Sequence, residues 1–179
     1  ALMGNIFAQN QLDLVFPRIA LLNIGVEAIK GRQAIREAAT LLAQNTELNY
    51  CGFIEGNQLL NGVADVIISD GFSGNIALKT LEGAANNLIS LLKGKTKNSI
   101  LKPLFKGLMR LLLNDRYQRL KRINPDAYNG ASLLGLTAVV VKSHGGANTE
   151  AFANAIADAA TQARQQIPQQ ILAGLQRIT

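Results

Sequence analysis

Asn75 and Lys79 stand four residues apart at the end of the run Ala64-Asp-Val-Ile-Ile-Ser-Asp-Gly-Phe-Ser-Gly-Asn-Ile-Ala-Leu-Lys79. The run reads as a buried strand, a glycine-bearing loop and the opening of a helix. Glycines let backbone N–H groups turn towards a ligand, and a helix start adds partial positive charge, so the segment suits phosphate or another anion. On a helix, a spacing of four puts both side chains on one face. Asn75 can orient a phosphate or polarise a carbonyl; equally, it can satisfy free donors at the helix start. Lys79 can neutralise an anion, although a solvated helix lysine is the commoner occurrence.

A second turn of this kind follows Val139-Val-Val, in Lys142-Ser-His-Gly-Gly146. His144 is the only histidine of the chain. After a strand and before two glycines, it can donate a hydrogen bond or exchange a proton. Ser143 adjoins it, but neighbours at a strand end point in different directions, so a Ser-His-Asp triad is unsupported. Lys142 can neutralise an anion, or simply reach solvent from the strand end. Asp70 can hold a lysine or histidine in place; closing its own turn is the commoner role. Cys51 sits in an apolar strand and reads as a buried small residue. Glu55, Asp65 and Asp70 do not form a recognisable metal spacing, so no metal is predicted, and no cofactor is called for.

These residues need elements to carry them. Arg18 to Gly25 reads as a strand and Glu27 to Gln44 as a helix with Ala28, Ile35, Ala38 and Leu42 on one side. Further strands are expected at 48–54, 63–69 and 137–142, and helices at 75–92 and 149–166. The tail repeats apolar residues at Ile167, Ile171, Leu172 and Leu175. Strands without polar alternation, interleaved with helices, suit a parallel sheet covered on both faces. Ligands bind outside the carboxyl ends of such strands. The loops Asn23-Ile-Gly25, Glu55-Gly56, Asp70-Gly71 and Lys142 to Gly146 are therefore expected along one edge. Tyr128-Asn-Gly is a turn signal that leaves a ligand role open for Asn129.

Composition narrows the class. Of 179 residues, 48% are hydrophobic and 17% charged, as in ordinary globular proteins. The lone cysteine excludes an internal disulfide and points to a cytosolic setting. No signal peptide or membrane-spanning run is evident. The opening residues read as the middle of a helix, so the chain is expected to begin partway through a larger domain. The net charge of +6 is uneven: Lys93 to Arg122 holds ten basic residues against one acid, Asp115. One segment thus supplies all the basic excess, which argues for a local anionic partner.

That segment has helical spacing, with Ile100, Leu104, Leu108 and Leu112 on one side beside Phe105, and Lys102, Lys106 and Arg110 on the other. Such a basic amphipathic helix can pack on a partner subunit or lie on an anionic lipid surface. Nucleic acid ranks last, because few aromatic readers stand between the charges.

The run from Ala64 to Gly83 resembles the signature of the bacterial phosphate acyltransferase family, PlsX. Leu21-Leu-Asn-Ile-Gly-Val-Glu27 with Lys30-Gly31 agrees, as do Tyr128-Asn-Gly-Ala-Ser-Leu-Leu-Gly-Leu136 and Val141-Lys-Ser-His-Gly-Gly146. The resemblance implies transfer of a long-chain fatty acyl group from acyl carrier protein to inorganic phosphate, giving acyl phosphate for phospholipid synthesis. It implies a Rossmann-like α/β/α sandwich, similar to the isocitrate and isopropylmalate dehydrogenases. It also implies a cytoplasmic homodimer bound peripherally to the membrane. Residues 1–179 correspond to the family's C-terminal half, and 84–124 to its projecting helices. The N-terminal half, with its Asp-x-Met-Gly-Gly-Asp motif, is absent.

On this reading Asn75, Lys79 and His144 are catalytic. Asn23, Gly25, Asp70, Gly74, Asn129, Lys142, Ser143 and Gly145 contact phosphate or substrate. Leu104, Phe105, Lys106, Leu108 and Arg110 face a membrane or a second subunit. Two rivals stand beside it: a phosphotransacetylase using short acyl groups, and a non-enzymatic membrane-binding dimerisation module. A dehydrogenase is disfavoured, since no Gly-x-Gly-x-x-Gly with a downstream acid is present.

Overall fold

The computed structural model describes residues 1–93 and 130–177. The basic segment beyond Lys93, with Leu104, Phe105, Lys106, Leu108 and Arg110, lies outside the described residues, as does Asn129. Helix α1 (Leu2–Gln11) opens the chain, followed by β1 (Arg18–Leu22), α2 (Gln33–Gln44) and β2 (Asn49–Ile54). A 3-10 turn at Gly56–Gln58 leads to β3 (Val66–Ile68) and the long helix α3 (Gly71–Lys93). A short hairpin of β4 (Ala131–Ser132) and β5 (Val141–Lys142) precedes α4 (Thr149–Arg164) and α5 (Ile167–Gln176).

Strands β2, β1 and β3 form a parallel sheet in that order. The central strand carries the driest residues: Ile19 and Ala20 are fully buried and Leu21 nearly so. Between Ile19 and Leu21 the pairing with β2 slips by one residue. Gly52, at φ +97°, supplies the extra residue, in a conformation that a side chain resists. Arg18 grips Asp65 through Nη2–Oδ1 at 2.8 Å and Nε–Oδ2 at 3.0 Å, which ties the start of β1 to the approach to β3. A second core forms where α1 meets α5, around Ile6, Ile167 and Ile171.

Several boundaries differ from the sequence reading, each for a local reason. α2 begins at Gln33, not Glu27. Gly31 has φ +89°, which a helix cannot contain, and Lys30 N–H closes a turn on the Glu27 carbonyl at 3.0 Å. α3 begins at Gly71, four residues before the expected start, because Asp70 caps it. The expected fourth parallel strand at 137–142 shrinks to Val141–Lys142 and pairs antiparallel with β4 in a separate sheet. Gly130 (φ +138°) and Gly135 (φ +87°) bend the chain into this hairpin. Cys51 is exposed, not buried, because β2 is an edge strand; its Sγ lies 3.1 Å from the Ile19 carbonyl oxygen.

Candidate functional site

The loops after β1, β2 and β3 share one edge of the sheet, since the three strands run parallel. Charge links them. Lys30, in the loop after β1, pairs with Glu27 at 2.9 Å and feels Glu55, in the loop after β2. Arg32, at the start of α2, acts on Asp70 at the start of α3. The loop at 142–146 follows β5 of the separate hairpin, and His144 on it is the smallest of the influences that lower the Glu82 carboxyl on α3.

The loop after β1 is built on Asn23, which is buried although polar. Its Nδ2 donates to the Lys30 carbonyl at 3.0 Å, and its Oδ1 accepts from Ile24 N–H at 2.9 Å. Asn23 therefore shapes the loop. Gly25 is buried beside it. A Cβ there would stand 2.6 Å from Lys30 Cδ and 2.7 Å from a Glu27 carboxylate oxygen, so a bare backbone lets the Glu27–Lys30 pair fold over it.

The start of α3 is organised differently from the sequence expectation. Asp70 accepts from Ser73 N–H at 2.7 Å and from Ser73 Oγ–H at 2.9 Å. These bonds hold its carboxyl below the usual carboxylate range, led by the Ser73 N–H and aided by Phe72 N–H and the Arg32 charge. Gly74 N–H bonds to the Asp70 carbonyl at 2.9 Å. The positive end of the helix thus already holds a carboxylate, and the Gly74 backbone is spent within the helix rather than turned to a ligand. The side chains one turn further on remain exposed: Asn75 and Lys79 lie on α3 with the spacing that shares a face.

Lys79 Nζ pairs with Glu82 Oε2 at 2.8 Å. This contact holds the Glu82 carboxyl below its ordinary value, with Lys79 the main cause and His144 a smaller one. The His144 ring is set by its own turn: Gly146 N–H donates to Nδ1 at 3.1 Å and Ala147 N–H to the His144 carbonyl at 3.0 Å. With Nδ1 accepting, the proton of the neutral ring belongs on Nε2. The Ser143 hydroxyl lies 3.4 Å from the His144 carbonyl oxygen, which is not triad geometry. Lys142 and Gly145 are exposed. Sequence reasoning passed over Glu82, Lys30 and Arg32. The spacings Lys79-x-x-Glu82 and Glu27-x-x-Lys30 were the available signals.

Beside the loop after β1, a groove of about 380 Å³ runs between α2 and β2. Its walls include Val26, Arg36, Ala39, Ala43, Tyr50 and Phe53. Small residues on α2 and Gly52 on β2 leave it open. Arg36 closes one end by donating to the carbonyls of Ile29 and Gly31, at 3.2 and 2.9 Å. No helix among the described residues is long and apolar enough to cross a membrane.

Residues 1–170 match the family described as fatty acid synthesis protein. A phosphate acyltransferase of Mannheimia succiniciproducens is 75% identical over 177 residues, covering 99% of this chain and 52% of that protein. The phosphate acyltransferase of Pasteurella multocida is 71% identical over the same shares, and that of Pseudoalteromonas atlantica 48% identical over 96% of this chain and 49% of its own length. The chain thus spans about half the length of the curated relatives it matches, and the half is the C-terminal one. With a family match across nearly all of its residues, the chain belongs to the fatty acid synthesis protein family, PlsX.

Proposed function

We propose that this chain supplies part of the active site of a phosphate acyltransferase. The enzyme would move a long-chain fatty acyl group from acyl carrier protein to inorganic phosphate, and the acyl phosphate would feed phospholipid synthesis. The observation that carries this reading is Asn75 and Lys79 exposed together on one face of α3, the helix that follows β3 at the edge of the sheet where the loops after β1 and β2 also open. The name phosphate acyltransferase, borne by relatives up to 75% identical, supports it.

In the proposed reaction an oxygen of hydrogen phosphate attacks the thioester carbonyl carbon. A C–O bond forms and the carbonyl oxygen becomes an oxyanion. The C–S bond then breaks, and the proton of hydrogen phosphate ends on the departing sulfur. No covalent acyl-enzyme is needed, because phosphate is itself the nucleophile. The chain's task is to align two reactants and stabilise the oxyanion. Asn75 and His144 Nε2–H are the proposed oxyanion donors. Lys79, Lys142 and the Gly145 backbone are proposed to meet phosphate, and Ser143 and Asn129 to border it. Asp70, Asn23 and Gly25 act from behind, by shaping the loops. The groove between α2 and β2 is proposed to take the aliphatic chain, since its walls are largely apolar.

The basic segment, with Leu104, Phe105, Lys106, Leu108 and Arg110, is proposed to serve homodimer contact and peripheral binding to an anionic membrane from the cytoplasm. Thiol release tests the reaction. Long-chain acyl carrier protein should lose its thioester only when phosphate is added, while acetyl-coenzyme A should be spared. Loss of acetyl-coenzyme A alone would favour a phosphotransacetylase. Vesicle binding without any thiol release, even when the N-terminal half of the family is added, would favour a membrane module.

A further inference from the structure

Ser132 belongs to the run from Tyr128 to Leu136 singled out in the sequence, and the reaction proposed above gives it no part. Its hydroxyl oxygen accepts a hydrogen bond from Gln162 Nε2 at 2.8 Å. Gln162 is 4% exposed, and it shares the buried face of α4 with Ala151 and Ala155. A carboxamide at such a position costs stability unless it is bonded, whereas an apolar side chain would pack there without that cost. The bond therefore fixes where β4 lies along α4.

A second contact sets the direction. A Cβ on Gly130 would stand 3.5 Å from Ala155 Cβ, so the chain entering β4 lies against the middle of α4. Ser132 meets Gln162, about two turns closer to the helix end. β4 thus runs with α4, and its antiparallel partner β5 runs back towards the helix start. Ser132 stands opposite Val141 and Ala131 opposite Lys142, with Leu133 N–H bonded to the Val140 carbonyl at 2.9 Å. The loop that leaves Lys142 enters α4 at Asn148, whose Oδ1 accepts from Ala151 N–H at 2.8 Å. Both ends of the His144 loop are consequently fixed on one helix. The Asn148 cap holds the far end, and Gln162 holds the near end through β4 and β5.

We propose that Gln162 and Ser132 are a positioning pair that sets the place of the Lys142–Gly146 loop, His144 included, along α4. Neither is assigned a contact with substrate. The structural part stands by itself, and the catalytic consequence rests on the phosphate acyltransferase reading.

Both parts are tested on the chain together with the N-terminal half of the family. Ser132→Ala alone would leave the buried Gln162 amide without its acceptor, so the variant to use is Gln162→Leu combined with Ser132→Ala. Removing both partners keeps stability close to wild type. The amide 1H–15N cross-peaks of Gly145 and Gly146 should move in this double variant, and should stay near wild type in Ser132→Thr, which keeps the hydroxyl. Unchanged cross-peaks in the folded double variant would overturn the proposal, whatever the activity.

In acyl-phosphate formation the double variant should lower kcat by about tenfold to a hundredfold, the scale of a reacting group displaced by about 1 Å, while Ser132→Thr retains most of it. Most of that loss should vanish in a His144→Ala background, because a pair that acts through His144 then has nothing left to place. An equal fold-loss in both backgrounds would show a general structural effect and overturn the positioning role. If His144→Ala itself turns over like wild type, the assigned site has failed, and the Gly145 and Gly146 cross-peaks decide the structural part alone.

Discussion

The buried carboxamide of Asn23 fills the space into which a Cβ on Gly31 would project. Gly31 lies at φ +89°, so a side chain there meets backbone strain as well as a collision. Asn23 cannot yield easily, because it is bonded to Lys30 O and Ile24 N. Gly31→Ala should therefore destabilise the chain by more than about 1 kcal/mol, the lower end of the cost of a left-handed residue with a side chain. Urea unfolding reads the effect. A change near zero would mean that the loop after β1 is softer than described.

Asp70 gives a pH-dependent prediction. Its carboxyl is held below the usual range mainly by Ser73 N–H. A lowered folded-state value means that the unfolded chain takes up the proton first as pH falls. Its stabilising effect is then complete above about pH 4, the ordinary aspartate value, and is lost as pH falls through the lower folded value. Asp70→Asn should have a lower Tm than wild type near pH 6. The gap should close as both are taken to more acidic buffer. A gap independent of pH would show that the capping shape matters and the charge does not.

The oxyanion assignment predicts large kinetic losses with little change in fold. Asn75→Ala and His144→Ala should each reduce turnover by about a hundredfold to a thousandfold, the usual loss for one preorganised donor. Both residues are exposed, so circular dichroism and Tm should hardly move. Turnover near wild type in both variants would remove them from the site.

The groove between α2 and β2 predicts a change in selectivity. Ala39 lies on its wall, and Ala39→Phe would fill much of the space. The ratio of kcat/KM for long-chain over short-chain donors should fall by about tenfold or more, since each buried methylene contributes about 0.8 kcal/mol. An unchanged ratio would place the acyl chain elsewhere.

Much of this was legible in the sequence, and what was hidden has identifiable causes. Three apolar runs without alternation gave the parallel strands, because burial on both faces leaves no polar face to display. The helix at Thr149 was legible from its apolar spacing. The start of α3 was misjudged because Gly71 and Gly74 look like a loop, while the cap that overrides them comes from Asp70 and Ser73. The run from Thr137 to Lys142 looked like a fourth strand of the main sheet, yet composition does not name a strand's partner. Cys51 looked buried because apolar neighbours do not reveal that a strand lies at an edge. Glu82 was passed over although Lys79-x-x-Glu82 has the spacing of a helical ion pair, because that spacing says only that the two side chains can meet on one face.

The most direct test of the account is acyl phosphate itself, trapped with hydroxylamine and identified by mass. Long-chain acyl carrier protein, inorganic phosphate and the chain are combined, with the N-terminal half of the family supplied in a parallel reaction. The account predicts a long-chain hydroxamate that requires phosphate and disappears with His144→Ala. Free fatty acid alone, or no product in either reaction, would contradict it.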